Sequence, residues 1–398
     1  MIVGWLVASL QGIGMFFLHP VFYVSIILSL FVGYLRVKRE RRGFTIRINS
    51  LFQELRQLLP IGLLIGVLLS ILTIGSGVVI PFAAILLMGI FTILLSLTFQ
   101  VRLLSPAYIV GLSFLTIVFL AGREIEIPIF SEAFHSLDQP VYPSLAVLLG
   151  LLLLAEGILI SKGGSKQPSP NLMVSKRGQV VGTYKARKIW LLPLFIFVPG
   201  GELVAPIDWY PVFSIGELHF TPIAIPVLIG FSKTIQGSLP QIAIQAQARK
   251  VTVLAVIVTT LAVFGNWYSY LSIVAVVLAM LGRELIHYFS NMNDRKLPFY
   301  FSQSKLGVKI LGVIPHTPAD KMGLEMGEII MKMNGSQVSN EHEFYGALQK
   351  NRAHCKMEVI GHNGEIRFVQ RALFEGEHHE LGLLFIEEGR KERSRAIL

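Results

Sequence analysis

Long apolar runs dominate residues 1–290 of the chain and predict membrane-spanning helices. About 20 apolar residues are enough to cross a bilayer. Seven segments have this character: 13–35, 58–74, 78–97, 106–121, 141–160, 251–267 and 268–287. Two more, 189–198 and 220–231, are shorter and contain prolines, so they are either kinked spans or a re-entrant pair. The pattern therefore predicts a polytopic α-helical membrane domain with seven to nine spans.

The composition supports this interpretation and sets the end of the chain apart. Of the 398 residues, 53% are hydrophobic and 15% are charged. This excludes an ordinary soluble protein, in which about 25% of residues are charged. Residues 299–398 differ, because they hold 13 basic and 13 acidic side chains. We therefore expect a membrane domain at 1–290, a linker at 291–303, a small soluble α+β domain at 304–388 and a basic tail at 389–398.

Basic residues alternate between the predicted loops and indicate the membrane orientation. The loops at 36–56, 98–105, 161–188 and 233–250 hold 7, 1, 7 and 3 basic residues, whereas the intervening loops hold one, Arg123. The positive-inside rule makes the first set cytoplasmic, so the N-terminus lies outside and the C-terminal domain lies inside. The first apolar run is expected to be an uncleaved anchor. The same rule explains the net charge of +10 without a nucleic-acid partner.

Polar residues inside apolar runs are the candidates for transport or catalysis. Glu156 and His19 lie within predicted spans, and Ser76 lies between Gly75 and Gly77. We expect a structural or interfacial role for Glu156, with its carboxylate reaching the membrane surface. His19 is expected to hydrogen-bond a neighbouring helix, and Ser76 to belong to a tight turn rather than act as a nucleophile.

Motifs for metal and nucleotide chemistry are missing from the sequence. The pair His379-Glu380 has Leu383 where a zinc protease needs its second histidine, and no Gly-rich loop ends in Gly-Lys-Ser/Thr. Cys355 is the one cysteine, which excludes an internal disulfide and a cysteine-based metal cluster. The sequence therefore predicts a protein without enzymatic activity, cofactor or metal.

The segment 308–335 has the most specific pattern in the chain and resembles a PDZ domain of bacterial type. Thr317-Pro318 is typical of a helix start, with threonine as N-cap and proline in the first helical position. Asn334-Gly335 is a tight-turn pair. Downstream, Asn340 is expected to cap a second helix, and Asn363-Gly364 to join two strands.

The chain offers two candidate loops for holding the carboxylate of a peptide. A PDZ domain adds a peptide as a strand beside a sheet edge, and a loop of pattern Φ-Gly-Φ caps the peptide end with backbone N–H groups. Leu306-Gly307-Val308 and Leu381-Gly382-Leu383 both fit this pattern. The short interval between Gly307 and Pro315 has room for one strand rather than two.

We therefore infer a circularly permuted order, in which residues 381–386 supply the loop and the edge strand. The groove would lie between this strand and the helix that begins near Asn340. The candidate peptide-binding residues are Leu381, Gly382, Leu383, Leu384, Phe385, Glu341, Tyr345 and Leu348. The alternative is a closed groove that packs only against the rest of the protein.

Several motifs, in a multispan part followed by one PDZ-like domain, resemble the MinJ family of Gram-positive rods. They are Phe17-Leu-His-Pro20, Gly33-Tyr-Leu-Arg-Val-Lys-Arg-Glu-Arg41, Leu104-Ser-Pro-Ala-Tyr108 and His378-His-Glu-Leu-Gly-Leu383. The resemblance implies a topological determinant of cell division that bridges the DivIVA protein to the membrane ATPase MinD and so brings the MinCD inhibitor to poles and septum. The implied partners are the lipid bilayer, DivIVA-like and MinD-like proteins, and peptides or protein C-termini at the PDZ groove.

Other functions remain open at this point. One alternative is a PDZ-regulated intramembrane protease or its regulatory subunit, and another is a PDZ-regulated transporter that depends on Glu156. The basic loop at 161–188 is either a topology signal and flexible linker or a site for a partner or an anionic lipid.

Overall fold

The structure is a computed structural model that describes residues 2–120, 141–204, 212–213, 219–351, 353–374 and 381–386. Its N-terminal part contains helices α1 (Ile2–Leu18), α2 (Pro20–Phe44), α3 (Gln53–Leu58), α4 (Pro60–Ser76), α5 (Phe82–Leu97), α6 (Pro106–Leu120), α7 (Val141–Gly163), α8 (Pro240–Phe264) and α9 (Ser269–Lys296), and a 3-10 turn at Val101–Leu104. Within the described ranges, five helical stretches are long and apolar enough to cross a membrane: Pro20–Phe44, Gln53–Ser76, Val141–Gly163, Pro240–Phe264 and Ser269–Lys296. Helices α5 and α6 are apolar but shorter. These helices support a membrane domain in this part of the chain.

Helix α7 lies at the centre of the helical part and is buried on almost all sides. A helix that is apolar all round must be surrounded by protein or lipid. Small residues let α8 approach it closely: Gly150 of α7 faces Thr259 of α8, and Gly157 faces Thr252. Such small-residue contacts are the usual way for membrane helices to pack backbone to backbone.

The first predicted span, 13–35, is interrupted in the structure. Helix α1 ends at Leu18 and α2 begins at Pro20, with His19 as its N-cap residue in an extended conformation. Proline disfavours helical geometry in the residue before it and suits the first helical position, because it has no N–H to leave unpaired. The expected single helix is therefore two helices.

The two doubtful spans are β-strands, so the interpretation as kinked helices is wrong. Strands β1 (Ser169–Val174), β2 (Val180–Val204) and β3 (His219–Ile235) form an antiparallel sheet in the order β1-β2-β3. Pro193 lies directly opposite Pro226 in the β2–β3 register. Proline has no N–H for the ladder, so both prolines occupy positions whose backbone faces away from the partner strand. The all-helical membrane domain predicted from hydropathy is in fact mixed.

Strands β2 and β3 form a long hairpin, and helix α4 covers the outer edge of β2 around Pro193 and Phe195. Along β2, Ser70 and Thr73 of α4 bond both polar groups of Phe195: Ser70 Oγ accepts from its N–H at 2.9 Å, and Thr73 Oγ1 donates to its carbonyl at 2.7 Å. Gly66, one turn earlier, lies against the carbonyl of Pro193. Non-helical backbone at membrane depth is tolerated only where protein surrounds it, and α4 provides that cover.

The C-terminal unit, residues 299–386 as far as they are described, is rich in β-structure. It contains β4 (Val308–Lys309), β5 (Gly312–Val313), α10 (Pro318–Lys321), β6 (Ile329–Met333), β7 (Ser336–Gln337), α11 (Glu341–Gln349), β8 (His354–Ile360), β9 (Ile366–Ala372) and β10 (Leu383–Leu384). The main sheet has the order β4-β6-β8-β9, with β7 paired to β6, and β10 pairs with β5 in a second sheet. This region follows α9, which continues to Lys296.

The turn residues singled out in the sequence behave as predicted, with one exception. Asn334 and Gly335 have φ of 46° and 79° and join β6 to β7, and Gly364 has φ of 80° in the turn between β8 and β9. Thr317 occupies the N-cap of α10, but its hydroxyl does not cap the helix. It donates instead to the carbonyl of Ile314 at 2.7 Å.

The C-terminal unit contacts the long hairpin of the N-terminal part. Gly182 of β2 donates its N–H to the carbonyl of Phe301 at 2.9 Å, and the Tyr184 hydroxyl bonds the carbonyl of Leu311. The rings of Tyr184 and Phe301 lie 5.1 Å apart. Leu311 and Leu384 belong to the same apolar core as the hairpin, so strands β5 and β10 rest against β2.

Candidate functional site

Strand β10 lies where the sequence predicted an edge strand. Leu383 pairs with Val313 and Leu384 with Gly312 in antiparallel register. Gly382 has φ of +84°, and a side chain there would also collide with Thr317. Glycine therefore meets two requirements at once, a left-handed backbone and a close approach.

Backbone hydrogen bonds fix the loop before β10. The carbonyl of Leu381 accepts from the N–H of Ala319 at 2.9 Å, and the carbonyl of Gly382 accepts from Ile314 at 2.8 Å. Backbone direction alternates along a strand. Because Gly382 faces β5, the backbone groups of Leu383 face away from β5.

The second candidate loop, Leu306-Gly307-Val308, leads into the main sheet rather than to β5. Gly307 has φ of +153°, and the strand after it, Val308–Lys309, pairs with Ile330 and Ile329 of β6 in the main sheet. It therefore contributes to the large sheet, whereas residues 383–384 lie beside β5 and α11.

Helix α11 is held at its N-terminus by a reciprocal set of bonds. The Asn340 side chain accepts from the N–H of Glu343 at 2.8 Å, and the Glu343 carboxylate accepts from the N–H and hydroxyl of Ser339 at 2.8 and 2.6 Å. This is the logic of a capping box, which satisfies the free N–H groups of the first turn. The bonds from Ser339 lower the pKa of Glu343. Asn340 thus acts as the predicted cap.

The eight predicted site residues divide into two groups. Glu341 and Tyr345 line a cleft of about 720 Å³, together with Ile386 and Gln349. The other six predicted residues, Leu381, Gly382, Leu383, Leu384, Phe385 and Leu348, are buried.

Aromatic rings join the segment after β10 to helix α11. The Phe385 ring lies 5.1 Å from that of Phe344 and 6.5 Å from that of Tyr345, both on α11. These ring contacts leave no open space between Phe385 and α11. The open volume runs along α11 from Glu341 to Gln349, and its opposite wall is formed by residues 302–304 and 307–309.

Two parts of the cleft were missed from the sequence. Gln349 is on the face of α11 that holds Glu341 and Tyr345, at a spacing of four residues, so helical periodicity alone could have found it. The wall at 302–304 and 307–309 could not be found in this way, because it meets α11 only through the tertiary fold.

Glu156 is buried in an ion pair, contrary to the expectation that it reaches the membrane surface. It has no exposed surface, and its carboxylate lies 2.8 Å from a guanidinium nitrogen of Arg283 on α9. The Ser105 hydroxyl donates to the other carboxylate oxygen at 2.6 Å. Arg283 is likewise buried. The ion pair between Glu156 and Arg283 joins α7 to α9 and supports a structural role for Glu156.

His19 and Ser76 have local partners. The imidazole of His19 accepts from the N–H of Val21, at the start of α2, rather than bonding a neighbouring helix. The Ser76 hydroxyl donates to the carbonyl of Leu72, and Gly77 ends α4 in a left-handed conformation. The turn therefore follows Ser76, which is itself the last residue of α4. Within the described residues, no three His, Cys, Asp or Glu side chains come together as a metal site.

Comparison with known proteins identifies the family. The chain is 42% identical to the cell division topological determinant MinJ of Bacillus subtilis strain 168 over 396 residues, 99% of each chain. The chain belongs to the MinJ family. It is also 26% identical to a probable MinJ of Lacticaseibacillus paracasei over 375 residues, 92% of this chain and 95% of that one. The names of these MinJ relatives describe determinants of cell division rather than enzymes. No family model and no solved structure matches the chain.

Proposed function

We propose that this protein is a non-enzymatic membrane scaffold for division-site selection, with a PDZ-type C-terminal unit that binds peptides. The observation that carries the proposal is the pairing of residues 383–384 with β5, beside helix α11. A strand with one edge toward a helix is the geometry that accepts a peptide by strand addition. Membership of the MinJ family supports the role in division.

The proposed groove follows the face of α11 that carries Glu341 and Tyr345. A bound segment would begin in the cleft of about 720 Å³ and extend along the outer edge of Leu383. Backbone groups of Leu383 point toward this edge, as argued above from strand alternation. Entry of a full strand requires the contact between Phe385 and Phe344 to open, because these rings lie 5.1 Å apart.

The partners we propose are a DivIVA-like protein and a MinD-like ATPase that carries the MinCD inhibitor. The proposal places the N-terminus outside and the C-terminal unit in the cytoplasm, with enrichment at septum and poles. A scaffold that joins two such partners needs cytoplasmic surfaces and no reaction chemistry. The buried ion pair of Glu156 agrees with this view, because a carboxylate fixed by Arg283 has a structural use.

Fluorescence localisation in dividing cells tests the proposal. The full chain and a truncation after Pro298 are each expressed in a deletion strain, and cell length is scored. We expect septal and polar fluorescence of the full chain, and filamentous or minicell-forming cells without it. Uniform membrane fluorescence together with normal cell length would contradict the division role. Comparison with the truncation shows whether the C-terminal unit targets the protein or recruits its partners.

A cleft-filling variant tests the groove by itself. Gly346 lines the cleft, and a Cβ built on it meets no atom within 4 Å. We expect Gly346→Trp to leave the protein at the septum but to release a fluorescent MinD-like partner from it. Lys350→Trp, an exposed position at the end of the same helix, is the control. Equal partner recruitment by both variants would show that the cleft is not the binding groove.

A further inference from the structure

A second cleft, of about 1000 Å³, opens where the long hairpin and α9 meet the residues that lead to the C-terminal unit. One wall is the turn between β1 and β2, with Lys176 and Arg177. The opposite wall is the end of α9, with Asp294 and Arg295, and Lys233 of β3 lies at the base. This cleft adjoins the one beside α11 and shares one lining residue with it, Ser302.

The charge balance of the cleft is strongly positive. Lys176, Arg177 and Arg295 are exposed, and none of them forms an ion pair with any residue that the structure describes. The Asp294 carboxylate accepts from the N–H groups of Gln236 and Gly237 at 2.9 and 3.1 Å, so each of its oxygens already holds one backbone donor.

Two more cations, Lys233 and Arg102, line the base of the cleft, and both already have hydrogen-bond partners. The Lys233 ammonium donates to two neutral oxygens, the carbonyl of Ala243 and the hydroxyl of Ser290, at 2.9 and 2.8 Å. Arg102 lies 3.0 Å from the Glu284 carboxylate, and this ion pair is partly exposed. The cleft therefore has a hydrogen-bonded Lys233 and an ion-paired Arg102 at its base, and three exposed cations without an ion pair among the described residues at its rim.

The exposed apolar residues of α9 indicate where the cleft lies relative to a bilayer. Leu285, Tyr288 and Phe289 are 53%, 59% and 47% exposed, as expected for a helix surface that faces lipid. Arg295 follows Phe289 by six residues, which is about 9 Å along a helix. The headgroup layer extends about 5–8 Å beyond the hydrocarbon on each side of a bilayer. The backbone of Arg295 therefore lies at the outer boundary of this layer, and its long side chain can reach back to a headgroup phosphate.

The rim of the cleft also carries exposed apolar side chains. Met173 and Val174 on β1 are 37% and 50% exposed, and Leu297 on the facing wall is 49% exposed. All three line the cleft. A positive concavity with an apolar rim matches a phosphate attached to acyl chains better than it matches a fully polar anion.

We propose that this cleft binds the phosphate headgroup of an anionic phospholipid, with Lys176, Arg177 and Arg295 as the recognition residues. Basic pockets beside membrane helices are known to select anionic lipids over zwitterionic ones. The proposal is independent of the peptide groove and extends the proposed scaffold with a lipid preference of its own. An acidic protein segment is the competing occupant, and the absence of an apolar attachment makes free phosphate the weaker candidate.

The test uses the full chain in nanodiscs with photoactivatable lipids. Phosphatidylglycerol and phosphatidylcholine probes with the same acyl chains are crosslinked, and the modified peptides are mapped by mass spectrometry. We expect phosphatidylglycerol to label residues 173–177 and 291–299 at least fivefold more than phosphatidylcholine does. The variant K176Q/R177Q/R295Q is expected to abolish this preference. The control K321Q/K350Q/K356Q removes three exposed charges from the C-terminal unit and is expected to retain it.

The outcomes separate the possible occupants. Equal labelling by the two lipids, or an unchanged preference in the triple variant, would overturn the proposal. Full competition by millimolar inorganic phosphate would show that the cleft binds a soluble anion. Displacement by an acidic peptide at constant lipid would show that it binds a protein segment. Each of these two results would overturn the lipid proposal. We expect the single variants K176Q and R295Q each to lower the preference about twofold. They provide a test even if the triple variant folds poorly. Thermal unfolding checks the folding of all three variants.

Discussion

Glu156 shows how one residue can join two helices inside an apolar environment. Its ion pair with Arg283 is fully enclosed, with 0% and 3% of the two side chains exposed. Breaking such a pair leaves an uncompensated buried charge, which costs about 3–5 kcal/mol. An exposed pair contributes much less, about 0–1 kcal/mol, because water screens it.

Glu156→Gln is therefore expected to destabilise the protein strongly. The measurement is thermal unfolding of the full chain in detergent, followed by size-exclusion chromatography. Glu284→Gln is the control, because it makes the same change in the partly exposed pair with Arg102. Similar unfolding temperatures for both variants would contradict a structural role for the Glu156 pair.

Cys355 is a built-in reporter of folding in the C-terminal unit. It is fully buried, and burial raises the pKa of its thiol to about 12. An unfolded thiol has a pKa of about 8.5. The buried neutral thiol of Cys355 therefore contributes fully to folding stability below that pH, and this contribution is lost as the pH rises toward 12.

We expect the Cys355 thiol to resist a maleimide at pH 7.5 in the native protein and to react within minutes in denaturant. The measurement is the mass shift of the intact chain over time, with Cys355→Ala as the unlabelled control. Because the sequence holds one cysteine, every adduct reports this position. Rapid labelling without denaturant would show that Cys355 is accessible to solvent in the native protein.

At the scale of elements, the contact between α4 and β2 explains how a hairpin fits inside a helical bundle. Gly66 lets the helix backbone approach the strand, because a Cβ there would lie 2.5 Å from the carbonyl of Pro193. Ser70 and Thr73 then bond the next outward-facing residue of the strand, Phe195. Small residues thus permit the approach, and hydroxyls replace the missing strand partner.

Gly66→Leu is expected to separate α4 from β2 and to destabilise the protein by about 1–3 kcal/mol or more through overpacking. Gly75→Leu is the matched control on the same helix, where a Cβ meets no atom within 4 Å. The unfolding temperature of each variant in detergent gives the comparison. A loss of stability confined to Gly75→Leu, or equal in both, would contradict the observed packing.

At the scale of the whole molecule, the C-terminal unit is tied to the membrane part through Tyr184. Its hydroxyl bonds the carbonyl of Leu311, and its ring packs on Phe301. Leu311 directly precedes β5, which pairs with β10. The hairpin therefore supports the strand that forms one side of the proposed groove.

Tyr184→Phe keeps the ring and removes this hydrogen bond. We expect faster hydrogen–deuterium exchange in residues 311–314 and 381–384 of the full chain, with no change in α7. Tyr23→Phe, at a position 54% exposed on α2, is the control. Unchanged exchange in both strands would show that the two parts are not coupled through this contact.

Local patterns in the sequence were sufficient for features that depend on neighbours along the chain. Asn340 caps α11 and Gly335 adopts a positive φ, because capping and turn geometry are set within a few residues. The predicted peptide-binding residues stay a prediction: Glu341 and Tyr345 line the cleft, whereas Leu348 is buried in the core. Helical periodicity gives the face of a residue but not what covers that face.

The sequence by itself determined the apolar helices, the β-rich C-terminal unit and the turns within it, because hydropathy, periodicity and turn preference are local properties. Only the tertiary structure decided that 180–204 and 219–235 are strands. Both segments are apolar and contain proline, which fits a kinked helix and a covered strand edge equally well. The choice depends on α4 bonding the free edge, and that contact joins residues more than a hundred positions apart.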